Sequence, residues 1–420
     1  MPQTSADTAG PPVRTPRRYG PNHRWVVLSV GVAAQASFSA MFSGIPVTGI
    51  TMRADYHLST GELGLVLGCL GLGVAVSDIV WGLLTDRFGD RRILLTGLTA
   101  TGALLVAMAV AVTPGDRAGM PLLAACMLAA GALGGSVNAS SGRAIMTWFT
   151  DGQRGFAMSV RQTAIPAGGA VGVALLPGLA AAYGFRVVYA VPAAFCLLAA
   201  AAAWRWLHEP DRVPAPAADR PEADRSEAAR SPLLRWDVWR LALASGLLTV
   251  PQIAVLSFTA IFLHDAKGAD VALASLTVLI AQLGGGAARI WTGRRSDRRG
   301  DRRAHIRGIG ALTALVMAGA AVLTHAPTPL TVAALALGGL LANAWHGVAY
   351  TEIAAMSGPS RAGTALGLEG TTIFTAAFLT PLLIPAVLTF ASWETVWALA
   401  AVAPLLAVPL TPGGPRSRLR

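Results

Sequence analysis

The sequence has little charge and almost no lysine. Only 13% of its 420 residues are charged, and Lys267 is the single lysine, whereas soluble chains carry roughly 25% charged residues. The stretch from Trp25 to Met52 contains no Asp, Glu, Lys or Arg, and a helix of about 20 apolar residues suffices to cross a bilayer. Together with a mean hydropathy of +0.55, this excludes a soluble globular fold and predicts a membrane protein.

Sequence motifs for metal binding, nucleotide binding and catalysis are also absent. The three cysteines, Cys69, Cys126 and Cys196, lie singly in apolar stretches, so no metal site or cofactor is expected. No Gly-x-x-x-x-Gly-Lys-[Ser/Thr] loop occurs, which argues against ATP as a ligand. Paired carboxylates, histidine clusters and nucleophile motifs are missing too, so the chain is not expected to be an enzyme. A membrane-embedded enzyme and a sensor remain the alternative classes.

The net charge of +11 could indicate nucleic acid as a partner, so the placement of the charges decides. If the N-terminus is cytoplasmic, only Arg53, Arg117, Arg186 and Lys267 fall in outward loops. This asymmetry is the positive-inside pattern of a membrane protein with both termini in the cytoplasm. The basic charge therefore reflects topology and predicts no nucleic-acid partner. The arginine- and alanine-rich composition favours a bacterial cytoplasmic membrane, with the chain expected as a monomer in the lipid bilayer.

Apolar windows bounded by charge, Gly or Pro predict twelve membrane spans. Their length, without ten-residue alternation, favours α-helices over a β-barrel. The polar, Pro-rich residues 207–238 predict a cytoplasmic linker between two six-helix bundles, 25–206 and 239–412, flanked by tails 1–24 and 413–420; the tail 1–24 lacks the pattern of a cleaved signal. The predicted spans are 25–50, 62–85, 93–113, 119–147, 156–182, 186–206, 240–263, 271–292, 306–324, 329–353, 363–389 and 393–411.

An internal repeat relates the two predicted bundles. Seven residues recur with identical type at an offset of 211, and RGFAMSVRQT at 154–163 aligns with AGTALGLEGT at 362–371 at an offset of 208. Repeats of this kind predict two structural copies. The first set is Gly82, Asp86, Arg87, Gly89, Asp90, Arg91 and Arg92, and the second is Gly293, Asp297, Arg298, Gly300, Asp301, Arg302 and Arg303.

The run GLLTDRFGDRR at 82–92 resembles the signature loop of the major facilitator superfamily of secondary transporters, and its second copy stands at 293–303, where that family has a weaker one. The resemblance covers about residues 20–412. It implies an all-α membrane fold of two pseudo-symmetric six-helix bundles that alternate access to a central site. It also implies a gating role for the loops, with Arg143 as a partner of Asp86. The gating residues on this basis are Gly82, Asp86, Arg87, Gly89, Arg91, Arg92, Arg143, Gly293, Asp297, Arg298 and Gly300.

Five ionisable residues stand out inside predicted spans, where each needs a partner or a function. Asp78 and Arg289 occupy equivalent positions one turn before the motif glycines, so both are assigned to the gate. Arg161 and Glu369 are also equivalent, each about seven residues inside its span. Arg161 is predicted to bind a substrate carboxylate, and Glu369 to carry a proton, with Glu352 as a second candidate. A structural ion pair between Arg161 and Glu369, or an Arg161 that reaches back to the interface, is the open alternative.

Polar side chains on otherwise apolar spans add weaker substrate-binding candidates. Pro166 with the following double glycine, and Pro251, predict local breaks in spans 5 and 7, of the kind that marks a transporter's central site. Trp345, Tyr350 and Phe374 could line that site. The weaker polar candidates are Gln35, Asn138, Gln162, Gln252, Asn343 and His346.

The direction of transport is less well defined by the sequence. The run AIPAGGAVG at 164–172 departs from the Gly-Pro motif of drug:proton antiporters in this superfamily, while Arg154-Gly155 and Arg161-Gln162-Thr163 are more similar to organic-anion and monocarboxylate-type members. The sequence therefore predicts a proton-coupled secondary transporter of a small organic anion. The alternative is a drug or metabolite:proton antiporter.

Overall fold

A computed structural model describes residues 19–20, 22–115, 119–208 and 230–413. Within those ranges the chain is helical and has no strand, and twelve helical segments are long and apolar enough to cross a membrane. The twelve spans of the sequence prediction are thus confirmed. The spans, numbered in chain order, are His23–Val47, Thr60–Phe88, Asp90–Ala111, Met120–Trp148, Arg154–Tyr183, Phe185–Trp206, Trp236–Lys267, Ala272–Arg299, Arg302–His325, Thr328–Ser357, Ala362–Leu388 and Trp393–Leu410.

Short elements accompany the spans. A helix at Gly49–Asp55 follows span 1, a 3-10 helix at Pro232–Leu234 precedes span 7, and a second at Leu323–His325 ends span 9. Most of the predicted linker, residues 209–229, and most of the two predicted tails lie outside the described residues. The end of the bundle that carries Gly89, Gly300 and His208 is called the linker face below, and the other end the opposite face.

Spans 4 and 10 are each broken into two helices near their middle. Span 4 comprises Met120–Gly134 and Ser136–Trp148, and span 10 comprises Thr328–Asn343 and His346–Ser357. The predicted breaks in spans 5 and 7 were wrong, since helices Arg154–Tyr183 and Trp236–Lys267 run through Pro166 and Pro251 without interruption. A proline removes one helical hydrogen bond, and a membrane helix tolerates this where neighbouring groups satisfy the freed carbonyl.

Two long interfaces join the halves: span 2 packs along span 11, and span 5 along span 8. Glycines allow the close approach. A Cβ on Gly82 would collide with the backbone of Gly363 in span 11, and one on Gly293 would reach the Gly155 carbonyl oxygen in span 5 at 2.5 Å. The motif glycine of each half therefore brings two backbones into contact.

Candidate functional site

Four charged side chains are buried at the interface between the halves. Asp78, Arg161 and Glu369 have no exposed surface and Arg289 is 2% exposed. Arg161 and Glu369 each lie seven residues after the first residue of their helices at the linker face, or ~10 Å inside. Within the described residues none of the four takes part in an ion pair, so the alternative of a structural pair between Arg161 and Glu369 is not observed.

Neutral groups hold the Arg161 guanidinium. Nε donates to Ser141 Oγ at 2.8 Å, and Nη2 donates to Gln35 Oε1 at 2.7 Å and to the Asn138 carbonyl oxygen at 2.8 Å. Nη1 is buried and has no hydrogen-bond partner in the described structure. The interfacial alternative is therefore wrong, because these contacts direct the side chain into the bundle. Arg161 is fixed on one edge and has donors to spare on the other.

A chain of amides connects Arg161 to Asp78. Gln35 Nε2 donates to Asn138 Oδ1 at 3.3 Å, and Asn138 Nδ2 donates to Asp78 Oδ2 at 3.1 Å. An arginine offers only donors, so the oxygen of Gln35 must face Arg161, and each later bond in the chain then takes the same direction. We call Arg161, Gln35, Asn138 and Asp78 the amide relay. It joins two charges of opposite sign that do not touch.

A related group occupies the second half. Arg289 Nη2 donates to Asn343 Oδ1 at 2.7 Å, and Gln252 Nε2 donates to the same oxygen at 3.0 Å. Arg289 Nε also donates to the Asn343 carbonyl oxygen at 2.8 Å. Gln252 and Asn343 thus take places in the second half like those of Gln35 and Asn138 in the first. The structure therefore brings four of the predicted polar candidates beside the buried charges.

Pro166 contributes a contact between the halves. Because proline has no N–H, the carbonyl of Gln162, four residues earlier, lacks its helical donor. Arg289 Nη1 of the other half donates to this oxygen at 2.8 Å. All three guanidinium nitrogens of Arg289 are thus bonded. Pro166 was expected to break span 5. Instead, it frees a carbonyl oxygen that binds Arg289 of span 8.

Glu369 is held by a single neutral donor. Ser245 Oγ of span 7 donates to Glu369 Oε1 at 2.8 Å, while Oε2 has no partner in the described part of the chain. Tyr350 of span 10 is buried, with its ring centroid 5.9 Å from the Arg161 Cζ. The first half therefore offers an unoccupied donor at Arg161, and the second an unoccupied acceptor or proton site at Glu369.

At the linker face, the motif aspartate of the first half binds the start of span 11. Asp86 Oδ1 accepts from the Gly363 amide at 2.8 Å, and Oδ2 accepts from the Thr364 amide at 2.7 Å and its hydroxyl at 2.6 Å. The predicted contact with Arg143 is confirmed at 3.2 Å, and Arg143 also pairs with Asp90 at 2.7 Å. A carboxylate at a helix N-terminus satisfies free N–H groups and meets the positive end of the helix dipole.

The second motif aspartate makes the corresponding contact with span 5. Asp297 Oδ1 accepts from the Gly155 amide at 3.0 Å, and Oδ2 accepts from the Phe156 amide at 2.8 Å. Arg302 lies 3.4 Å from the same carboxylate. Each half thus caps a helix of the other, and we call these two contacts the interdomain caps.

The remaining gating candidates do not bridge the halves by any contact the structure records. Arg87, Arg92 and Arg298 are exposed, and Arg91 donates to the Trp204 carbonyl oxygen of its own half at 2.6 Å. Gly89, at φ 90°, and Gly300, at φ 68°, make the turns that follow spans 2 and 8.

Glu352 lies apart from Glu369. It pairs with Arg303 of the second motif at 2.5 Å, close to the linker face, and Arg303 also donates to the Gly413 carbonyl oxygen. This ion pair indicates that Glu352 stabilises the second motif loop at the linker face. The structure therefore gives no geometric support to Glu352 as a proton site in the centre.

Other predicted residues serve the break in span 10 or pack. His346 stacks on Trp345 with centroids 3.8 Å apart, and its Nδ1 lies 3.3 Å from the Asn343 carbonyl oxygen. Phe374 packs against Phe38 and Phe42 of span 1. Sequence reasoning missed Ser141 and Ser245, which contact Arg161 and Glu369. Their only signal was a hydroxyl in an apolar span, which many other serines and threonines share.

Comparison with known proteins supplies the context for this geometry. A family model described as Major Facilitator Superfamily matches residues 30–324 and 254–417. The chain is 30% identical over 393 residues to the uncharacterized MFS-type transporter Rv2994 of Mycobacterium tuberculosis, covering 94% of this chain and 86% of that one. It is 22% identical over 147 residues to the hexuronate transporter of Bacillus subtilis, 35% of this chain and 33% of that protein. The crystal structure of the human organic anion transporter MFSD10 has the same fold, with a TM-score of 0.73 and 17% identity over 94% of this chain and 100% of that one.

Proposed function

This chain belongs to the major facilitator superfamily of membrane transporters, and we propose that it moves a small organic anion together with a proton. The observation that carries the proposal is the buried Nη1 of Arg161, which has no hydrogen-bond partner among the residues that the structure describes. A guanidinium edge with free donors fits a carboxylate. The names of two similar proteins, a hexuronate transporter and an organic anion transporter, agree with an anionic substrate.

Glu369 is proposed as the proton site. Its carboxyl group lies at the same depth as Arg161 on the opposite half, and among the described residues only Ser245 bonds it. Burial disfavours a charged carboxylate that lacks a cation, so a proton bound there makes the closed state less costly. One proton carried per monovalent anion would couple a gradient of one pH unit, ~1.4 kcal/mol, to a roughly tenfold concentration of substrate.

The interdomain caps are proposed to close the linker face while the site is open to the opposite face. Asp78 and Arg289 are proposed to join this gate to the centre, because one ends the amide relay and the other contacts span 5. The positive-inside pattern supports a cytoplasmic position for the linker face. In a bacterial cytoplasmic membrane, this orientation with an inward proton gradient would drive uptake.

Binding and uptake of carboxylates test the anion assignment. In a thermal-shift screen of the purified protein, a ligand at 100 times its Kd should add about 2.7 kcal/mol to the free energy of unfolding. We expect stabilisation by carboxylates that disappears in Arg161→Ala and falls strongly in Arg161→Lys, which keeps the charge but loses the planar fork. Arg205→Ala, an exposed arginine at the end of span 6, is the matched control. Stabilisation by lipophilic cations alone would replace this proposal with drug:proton antiport.

Exchange and active uptake separate proton coupling from substrate binding. We expect proteoliposomes with Glu369→Gln to exchange internal for external substrate. An inward proton gradient should not increase their substrate uptake, because the amide cannot release a proton. Wild-type uptake should rise with that gradient. Gradient-driven accumulation by Glu369→Gln at the wild-type level would remove Glu369 from the coupling mechanism.

A further inference from the structure

The side-chain amide of Asn343 has a defined orientation. Arg289 carries donors only, so the Asn343 atom 2.7 Å from Arg289 Nη2 has to be oxygen. The other amide atom, Nδ2, donates to the Gly339 carbonyl oxygen at 2.8 Å, which agrees with this orientation. Both ends of Asn343 are therefore assigned by the chemistry of their neighbours.

The orientation of Gln252 follows from that of Asn343. The atom of Gln252 that lies 3.0 Å from Asn343 Oδ1 must be the amide nitrogen, because an oxygen would face an oxygen. The other atom, Oε1, is then turned away from Asn343. It is shielded from solvent and has no hydrogen-bond partner among the described residues. A buried amide oxygen without a donor is costly, so a ligand that donates a hydrogen bond to Oε1 would be stabilised there.

The first half offers an internal comparison. Gln35 has the corresponding position, but its Oε1 accepts from Arg161 and its Nε2 donates to Asn138. Both amide atoms of Gln35 are thus satisfied within the protein. The two glutamines differ in this respect, so the free acceptor of Gln252 is not a general property of the repeat.

Gln252 lies on the face of span 7 that also holds Glu369. Ser245, which donates to Glu369, stands seven residues earlier on the same helix. Two helical turns separate them, ~10 Å toward the opposite face. Gln252 is therefore placed along the route by which a substrate would reach the buried charges from that face.

We propose that Gln252 Oε1 accepts a hydrogen bond from a hydroxyl of the transported anion, so that hydroxycarboxylates are selected over their deoxy analogues. This inference rests on the proposed function, because it requires Arg161 to bind the carboxylate. An ammonium would also donate to Oε1. However, the Arg289 guanidinium is close, because Arg289 Nη2 and Gln252 Nε2 both donate to the same oxygen, Asn343 Oδ1. Two cations close together in a low-dielectric site repel each other, which favours the neutral hydroxyl.

The test compares matched carboxylates on the purified full-length protein by titrated thermal shift. The pairs are lactate with propionate, 3-hydroxybutyrate with butyrate, and gluconate with hexanoate, and 4-aminobutyrate is added as the ammonium analogue of butyrate. We expect the hydroxylated member of at least one pair to bind roughly tenfold or more tightly than its partner, the scale of one buried hydrogen bond to an otherwise unpaired group.

Two variants distinguish recognition from a structural role. Gln252→Met keeps the side-chain length but removes the acceptor, so it should weaken the hydroxylated ligand about tenfold and leave the deoxy ligand unchanged. Gln35→Met disturbs the support of Arg161, so it should weaken both members of a pair by the same factor. The wild-type comparison needs no variant to fold.

The possible outcomes separate this inference from the proposed function. If both members of each pair bind equally and depend on Arg161, the carboxylate assignment holds and the hydroxyl inference is wrong. Tighter binding of 4-aminobutyrate than of 3-hydroxybutyrate would also overturn it. If no carboxylate binds in an Arg161-dependent manner, the proposed function fails and the hydroxyl inference fails with it.

Discussion

At the scale of single residues, amides take the place of counterions. Asp78 accepts hydrogen bonds from Asn138, and Arg161 donates to Gln35 and to backbone oxygens. Among the described residues, Asp78 and Arg161 do not form an ion pair. Such bonds hold a buried charge at lower strength than a direct pair would, so either charge can respond to a ligand or a proton. Under the proposed function this arrangement leaves Arg161 available to the substrate, because a direct ion pair would compete with the substrate carboxylate for the guanidinium.

Asn138 offers a test of the amide relay. Asn138→Leu leaves the Asp78 carboxylate without its donor, so we expect a loss of ~1–3 kcal/mol in the free energy of unfolding. In an Asp78→Leu background the same change should cost much less, because no buried carboxylate is left unsatisfied. A double-mutant cycle by thermal unfolding measures the coupling. Additive losses would show that Asn138 does not stabilise Asp78.

The sequence predicted these residues better than their contacts. Asp78, Arg161, Arg289 and Glu369 stood out because charge within a span is rare, and the offsets of 211 and 208 paired them correctly by position. The repeat did not predict the correspondence of the amide side chains. Asn138 and Asn343 are 205 residues apart, so neither offset aligns them. Which amide meets which charge depends on how the spans pack, and one sequence carries no distance between spans.

At the scale of secondary structure, prolines and glycines set the contacts between the helices. Proline in an apolar span predicted a break, yet span 5 continues and the freed Gln162 carbonyl oxygen is bonded by Arg289. The actual breaks, near Gly135 in span 4 and Trp345 in span 10, have no proline at the break itself. Local residue type therefore indicated where a carbonyl would be freed, while the neighbouring span decided what bonded it.

Pro166→Ala tests the contact between spans 5 and 8. The new N–H can bond the Gln162 carbonyl within the helix, so it should compete with Arg289 and loosen the two halves. With the native cysteines replaced, we expect a cysteine introduced in place of Ser159, which is fully buried in span 5 against Gly293 of span 8, to react faster with a soluble maleimide in this variant. Pro177→Ala, in the same helix, is the control, because the structure records no donor from the other half at the carbonyl that Pro177 frees. Equal labelling of the two variants would contradict the role of the contact.

At the scale of the whole molecule, the pseudo-symmetry gives the linker face two equivalent contacts between the halves. A Cβ on Gly363 would lie 2.7 Å from Asp86 Oδ1, and one on Gly155 would lie 2.7 Å from Asp297 Oδ1. The exposed arginines of the motif loops are not needed for these contacts. The repeat in the sequence therefore corresponds to a repeat of the caps, with backbone amides of one half bound by a carboxylate of the other.

Cross-linking the first cap tests whether it must open during transport. Asp86→Cys with Thr364→Cys, in a background without the native cysteines, places two thiols across the halves, where the Thr364 hydroxyl now contacts the Asp86 carboxylate at 2.6 Å. A short bifunctional thiol reagent should then stop transport, because alternating access requires the linker face to part. Ligand binding from the opposite face should persist, since the centre lies ~10 Å away. As the control, each single-cysteine variant should show the same transport rate before and after treatment with the reagent. Undiminished transport by the cross-linked protein would mean that spans 2 and 11 stay together through the cycle, and the substrate would need another route out.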